Sequence, residues 1–159
     1  MKLQKTESGL LITELSNFDP FVSCECGQCF RFEKITEREY SLIARNKKLY
    51  IIKEEGGWLF RDMEIDEFKS DFVSYFDLER DYGGIIKGFS CDATVTKAAS
   101  LCDGIRIFRQ DPWETLISFI ISQNNNITRI RAIIKRLSER GVLKNENTIV
   151  TSLVTKEEV

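Results

Sequence analysis

Two helices joined by a polar turn are predicted by the stretch Gln110-Asp-Pro-Trp-Glu-Thr-Leu-Ile-Ser-Phe-Ile-Ile-Ser-Gln-Asn-Asn-Asn-Ile-Thr-Arg-Ile130. Asp111 is placed to cap the first helix, Pro112 fits its first position, and Glu114 stands at the capping-box position. The positions that follow are nearly all apolar, so we expect this helix to be buried on most sides. These positions are Trp113, Leu116, Ile117, Phe119, Ile120 and Ile121.

Three consecutive asparagines, Asn124, Asn125 and Asn126, interrupt the apolar run. Amide side chains need hydrogen-bond partners when they leave water, so a triplet beside a buried helix is unusual. At a helix–helix junction such side chains can direct donors and acceptors toward a ligand. They can also cap the helix that follows.

A second motif lies far upstream, in Gly27-Gln-Cys-Phe-Arg-Phe32. It is similar to the Gly-Gln-x-Phe-Arg-Trp motif of the 8-oxoguanine DNA glycosylases, which belong to the helix-hairpin-helix glycosylase superfamily. The run from Arg109 through the asparagine triplet also resembles this family. The two motifs stand in the family's order and at about its spacing, and the resemblance covers residues 18–141.

The resemblance implies roles for individual residues. Gly27 matches the glycine whose backbone carbonyl accepts a hydrogen bond from N7–H of 8-oxoguanine, although by itself it also fits an ordinary turn before a strand. Asn124 matches the asparagine that fills the space of the flipped nucleotide, and Arg129 matches the arginine that donates to the orphaned cytosine. Asn125, Asn126 and Arg131 are further DNA-binding candidates. The implied partner is double-stranded DNA with 8-oxoguanine opposite cytosine, without cofactor or metal.

The family's nucleophile is a lysine just after a Leu-Pro-Gly-Val-Gly-like hairpin, with a catalytic aspartate further on. The chain has two prolines, Pro20 and Pro112, and neither precedes a glycine hairpin. None of Lys135, Lys144 and Lys156 follows such a hairpin either. We therefore assign no catalytic residue to this chain. It is interpreted as the front part of a glycosylase and AP lyase, inactive alone, with the rest of the domain expected carboxyl-terminal to it.

Composition favours a soluble globular protein, because 42 % of the residues are hydrophobic and 30 % are charged. No apolar run approaches the roughly 20 residues of a membrane helix, and the start lacks the apolar region of a secretory signal. We therefore expect no membrane partner and an intracellular, cytoplasmic and DNA-associated location.

Net charge alone argues against a nucleic-acid partner, because it is -2. The charge is unevenly distributed, however, with a net of -5 over residues 1–103 and +3 over residues 104–159. Basic residues follow the asparagine triplet, and this pattern predicts a phosphate-binding helix or an ordinary solvated helix face. They are Arg129, Arg131, Lys135, Arg136 and Arg140.

The cysteines support an alternative function. Cys24, Cys26 and Cys29 lie close together, and a thiol or metal site built on them would need a fourth ligand from Cys91, Cys102 or a carboxylate, because the chain has no histidine. The odd count of five favours reduced thiols. A non-catalytic DNA-binding module is the other alternative.

Secondary-structure patterns predict an α+β fold. An antiparallel sheet domain with at least one helix is expected over residues 1–78, and the first part of an incomplete α-helical domain over residues 79–159. Since that domain is incomplete, Trp113, Phe119 and Ile120 are also expected to expose apolar surface. Strands are predicted over residues 9–15, 28–35, 39–45, 49–53 and 57–61, and helices around 66–76, 78–87 and 92–101.

Overall fold

The structure is a computed structural model that describes residues 1–89 and 91–140. The predictions made for residues 141–159, including those for Lys144 and Lys156, lie outside the described residues. Within the described ranges, no helix is both long enough and apolar enough to cross a bilayer.

Six strands form one antiparallel sheet in the order β1-β2-β6-β5-β4-β3. The strands are β1 (Lys2–Thr6), β2 (Gly9–Thr13), β3 (Phe32–Thr36), β4 (Glu39–Ala44), β5 (Lys47–Glu54) and β6 (Gly57–Arg61). The two-residue turn between β4 and β5 has positive φ at both Arg45 and Asn46, which matches the twist of the flanking strands. The predicted α+β fold with an antiparallel sheet is confirmed.

Two strand predictions differ from the structure. Strand β1 was not predicted, because most of its residues are polar and it lies at the exposed edge of the sheet. Strand β3 begins at Phe32 rather than at Gln28, because residues Cys24–Gln28 form a π-helical turn. Gln28 therefore lies outside the sheet, and its amide is available for contacts elsewhere.

Short helices follow the strands. They are α1 (Pro20–Ser23), α2 (Ile65–Glu67), α3 (Val73–Tyr75), α4 (Tyr82–Gly88), α5 (Ala93–Leu101), α6 (Pro112–Ser122) and α7 (Ile127–Glu139). A second π-helical turn joins α2 to α3. Aspartate side chains cap the amino-terminal N–H groups of α1, α4, α5 and α6, and the prediction that Asp111 caps α6 is confirmed.

An aromatic core lies between the inner face of the sheet and the α2–α3 segment. Phe60 on β6 contacts Phe68 and Phe76 at ring-centroid distances of 5.1 and 5.7 Å, and all three side chains are completely buried. Phe108, from the linker before α6, packs edge-on against Phe76 at 5.2 Å. The linker thereby completes the core of the sheet region. The division of the chain at residue 78 stays a prediction.

The prediction that α6 is buried on most sides is wrong. Leu116, Phe119 and Ile120 are 48 %, 64 % and 57 % exposed, and none of the α6 residues is fully buried. Only the face that carries Ile117 and Ile121 packs, against a small cluster on α7. The exposure expected from an incomplete helical domain is confirmed for Phe119 and Ile120, because the described residues provide no second layer of helices over them.

Candidate functional site

The backbone turns sharply at Gly27, inside the π-helical turn Cys24–Gln28. Its φ is +90° and its ψ is 10°, a conformation that residues with side chains rarely adopt. Among the described residues, Gly27, its two chain neighbours and the nearby backbone of its own helical turn excepted, no heavy atom lies within 4 Å of the point that a β-carbon of Gly27 would occupy. Glycine is therefore favoured by the backbone angle, and the residue is exposed.

The side-chain amide of Gln28 ties this turn to the linker before α6. Its Nε2 donates to the carbonyls of Ser23 and Arg106, each at 2.8 Å, and its Oε1 accepts from the backbone N–H of Phe108 at 2.8 Å. The amide of Gln110 donates to the carbonyl of Gln28 at 2.6 Å. The turn and the linker thus form one hydrogen-bonded unit.

Arg106 anchors the linker in the sheet region, where it is 3 % exposed. Its guanidinium donates to the carbonyls of Asn17 and Asp77 at 2.7 Å and of Ser16 at 3.2 Å. It also lies 4.5 Å from the centre of the Tyr82 ring. Burial lowers the pKa of Arg106 from its ordinary value, and these contacts replace the water that the charged group loses.

An open groove of about 280 Å³ lies beside Gly27. The turn and the start of β3 form one wall, and the first turns of α7 form the other through Ile127 and Arg131. The remaining lining residues are Cys24, Glu25, Cys29, Phe30, Phe32 and Lys34. Since Ile127 directly follows Asn126, the asparagine turn borders this groove. The structure therefore brings Gly27 and Arg131 together and places the other predicted DNA-binding residues at the adjacent end of α7.

Each asparagine of the triplet has a different role in the turn between α6 and α7. Asn124 is exposed and adopts a positive φ of 55°, which asparagine tolerates better than most residues. The amide of Asn125 donates to the carbonyl of Ile121 at 2.7 Å. Asn126 is the N-cap of α7, because its side chain accepts from the backbone N–H of Arg129 at 2.9 Å. The capping alternative is thus confirmed for Asn126.

The basic residues of α7 occupy two flanks of the helix. Arg129 and Arg136 are seven residues apart, so two helical turns place them on the same exposed flank. Arg131 faces the sheet region, where it donates to the carbonyl of Phe32 at 2.6 Å and lies 4.3 Å from the centre of that ring. Its guanidinium is partly engaged within the protein, and its contact with DNA stays a prediction.

An ion pair joins the start of β3 to the first turn of α6. Arg31 Nη1 lies 3.0 Å from Glu114 Oε2, and both side chains are largely buried. Glu114, predicted to take part in a capping box, thus reaches Arg31. Burial raises the pKa of Glu114 above its ordinary value, and the Arg31 guanidinium opposes that change. This pair helps to hold the α6–α7 hairpin against the sheet.

Three cysteines surround Gly27, with Cys24 and Cys29 buried and Cys26 exposed. A hydrogen bond with Cys29 and then burial raise the pKa of Cys24, so its thiol stays neutral and unreactive at ordinary pH. Within residues 1–89 and 91–140, no group of three His, Cys, Asp or Glu side chains is arranged to hold a metal ion. The thiol or metal alternative gains no support from this geometry.

Residues 10–116 match the family described as 8-oxoguanine DNA glycosylase, N-terminal domain. The chain belongs to this family. The matched range includes the Gly27 turn and the linker to α6, and it ends before the asparagine triplet. The prediction of family membership from the two motifs is confirmed.

Relatives of this glycosylase-family chain are named as glycosylases and lyases. An N-glycosylase/DNA lyase of Saccharomyces cerevisiae is 42 % identical over 65 residues, which are 41 % of this chain and 17 % of the yeast protein. Two solved structures of the Clostridium acetobutylicum 8-oxoguanine glycosylase/lyase are 37 % identical to it with a TM-score of 0.82. One is the apo-form, and the other is a complex with double-stranded DNA containing cytosine opposite 8-oxoguanine.

The matches to the solved structures cover 87 % of this glycosylase-family chain, and 49 % and 48 % of the two Clostridium chains. The chain therefore spans about half the length of these solved relatives.

Three residues that shape the glycosylase-family site were not predicted from the sequence. Gln28 and Gln110 hold the Gly27 turn, and Arg106 anchors the linker that they bind. The sequence carries a signal for Arg106, because it stands between Ile105 and Ile107 in an otherwise apolar run. Its partners lie 26 to 90 residues away along the chain, and no local pattern identifies them.

Proposed function

We propose that this chain forms the amino-terminal part of a DNA repair glycosylase with AP lyase activity, which excises 8-oxoguanine opposite cytosine. A glycosylase must flip the damaged nucleotide out of the duplex before it can reach the base. The groove between the Gly27 turn and the start of α7 carries this proposal. One wall of this groove is the Gly27 turn, which we propose contacts the damaged base. The other wall is helix α7, which we propose contacts the opposite strand. An intracellular, DNA-associated location is part of the same proposal.

Gly27 is proposed to distinguish 8-oxoguanine from guanine through one proton. The damaged base carries N7–H, which can donate to the Gly27 carbonyl, whereas guanine presents a bare N7 acceptor there. Two facing acceptors leave a buried carbonyl unpaired, which costs about 1–3 kcal/mol. The fixed positive φ of Gly27 and the open space around it support this role, because they make the backbone approachable.

Asn124 and Arg129 are proposed to act on the opposite strand. Both are exposed at the start of α7, where Asn124 can occupy the space left by the flipped nucleotide. Cytosine presents O2 and N3 as acceptors on its pairing edge, and the guanidinium of Arg129 supplies donors in a fixed plane. Asn125 and Asn126 are proposed to shape this turn, while their contact with DNA is a weaker proposal.

We predict that the 159-residue chain alone forms no borohydride-trapped adduct with DNA that contains 8-oxoguanine. The lyase route needs a lysine amine that attacks the sugar carbon, and this chain has no lysine after a glycine hairpin. The measurement is trapping followed by denaturing electrophoresis, with the Clostridium acetobutylicum enzyme as the positive control. A trapped adduct that disappears when one of the chain's own lysines is replaced would contradict the prediction.

Binding of this chain to DNA is predicted to be weak and strongly salt dependent. Each lost phosphate contact lowers the slope of log affinity against log salt concentration by about 0.9. We expect a change of this size for Arg136→Ala and a smaller one for Arg131→Ala, whose guanidinium already contacts Phe32. Lys97→Ala, on α5, serves as the control that leaves the slope unchanged. Equal salt-dependence slopes for the Arg136 and Lys97 variants would show that α7 is not part of the DNA-binding surface.

A chimera tests the proposed activity directly. Residues 1–140 of this chain replace the matched half of the Clostridium acetobutylicum enzyme, which supplies the second half of the domain. The chimera is expected to excise 8-oxoguanine opposite cytosine much faster than undamaged guanine. A chimera that unfolds cooperatively and binds DNA, yet excises no 8-oxoguanine, would instead favour the alternative of a non-catalytic DNA-binding module.

A further inference from the structure

The Gly27 turn receives little support from packing around its glycine. Gly27 and its neighbours Glu25 and Cys26 are exposed, and the space beside the Gly27 α-carbon is open. If the Gly27 carbonyl keeps a fixed direction, contacts elsewhere in the turn must hold it. Those contacts converge on the residue that follows the glycine, Gln28.

We propose that Gln28 is a positioning residue that sets the direction of the Gly27 carbonyl. This inference rests on the proposed function of Gly27 in reading the lesion. The plane of the peptide that joins Gly27 to Gln28 carries the Gly27 carbonyl, so fixing Gln28 fixes that carbonyl. Gln110 adds to this restraint, because its amide donates to the next carbonyl along the chain, that of Gln28 itself.

Each polar atom of the Gln28 side chain has a hydrogen-bond partner, and only an amide supplies both the two N–H donors and the acceptor oxygen that these partners require. Nε2 uses two N–H groups on the carbonyls of Ser23 and Arg106, and Oε1 accepts the Phe108 N–H. Methionine has a similar length but offers neither the donors nor the oxygen. Glutamate keeps an acceptor for Phe108 but turns an oxygen toward two carbonyls, unless the carboxyl group is protonated.

The linker side of this contact is rigid. Arg106 is held by the carbonyls of residues around the sheet, and the Phe108 ring is buried in the aromatic core. Gln28 therefore links the turn to the core, in addition to the contact of Glu25 with Tyr40 and the burial of Cys24. Discrimination between 8-oxoguanine and guanine is proposed to depend on this link, although Gln28 itself touches neither base.

Hydrogen exchange on the full 159-residue chain tests this inference. Gln28→Met is expected to raise the exchange rates of amides in residues 24–28 and 106–110 by about tenfold, the effect of losing net hydrogen-bond stabilisation at one locus. The carbonyl carbon resonance of Gly27 is expected to shift, while the amides of β4 and β5 keep their exchange rates. Gln4→Met, the same change on the exposed edge strand, is the matched control.

The pH response of Gln28→Glu separates positioning from a general loss of stability. At neutral pH this variant is expected to match Gln28→Met. In acid its Gly27 carbonyl resonance is expected to return toward the wild-type position, because the protonated carboxyl group can donate again. Faster exchange spread evenly over the whole chain, or an unchanged Gly27 resonance in both variants, would overturn the inference. No DNA or excision is involved, so the result is independent of the proposed activity.

Discussion

Replacing Arg106 with methionine is expected to lower the free energy of unfolding by about 3–5 kcal/mol, among the largest effects of a single substitution. The variant leaves the buried carbonyl of Asp77 and the partly buried carbonyl of Asn17 without their donor. Each buried acceptor without a partner costs about 1–3 kcal/mol, and these costs combine at one site. The Arg106→Lys variant is also expected to lose stability, because one ammonium group cannot match the planar arrangement of donors in the guanidinium.

Arg109→Met provides the control for Arg106 because it lies on the same linker. The Arg109 side chain is 58 % exposed, and the carboxylate of its buried partner Asp77 keeps Arg80 and Tyr82, so losing Arg109 is expected to cost about 1 kcal/mol. The measurement is urea unfolding followed by the fluorescence of Trp58, which is buried in the sheet region. Equal losses of stability in the Arg106 and Arg109 variants would show that the buried hydrogen-bond network does not anchor the linker.

Local patterns predicted most of the regular structure because they act within a few residues. Short β-prone runs separated by turn-like residues predicted five of the strands, although β3 begins later than predicted, and the Asp111-Pro112 pair predicted the start of α6. Strand β1 was not predicted from the sequence, because an exposed edge strand needs few apolar residues. The burial of α6 was overestimated because an apolar composition indicates what a helix face can pack against, and not which partner is present.

The sequence predicted only part of the candidate site, again because local patterns act within a few residues. The family motifs point to Gly27, Asn124 and Arg129 without any reference to their three-dimensional neighbours, and the roles of these residues stay proposals. The contacts that hold Gly27 could not be predicted in this way, because Gln28 reaches residues about 80 positions later in the chain. Such a contact depends on how the sheet and the linker pack, and a local pattern contains no information about that.

Replacing Arg129 with alanine is expected to weaken recognition of the opposite cytosine far more than recognition of the lesion. Arg129 is exposed on α7 and does not line the groove, whereas Gly27 does. Losing a charge-assisted contact to the orphaned base is expected to cost about 1–3 kcal/mol against cytosine, and less against other bases. Preference among opposite bases should therefore narrow by at most roughly 5- to 150-fold, the full cost against cytosine, while 8-oxoguanine stays preferred over guanine.

Single-turnover excision by the chimera shows whether Arg129 reads the base opposite 8-oxoguanine. The duplexes differ only in the base opposite 8-oxoguanine, and the wild-type chimera is compared with its Arg129→Ala and Arg136→Ala variants. We predict that the wild-type chimera and the Arg136 variant retain the preference for cytosine, and that the Arg129 variant largely loses it. An unchanged preference for cytosine in the Arg129 variant would contradict the account, because Arg129 would then be a phosphate-binding or structural residue.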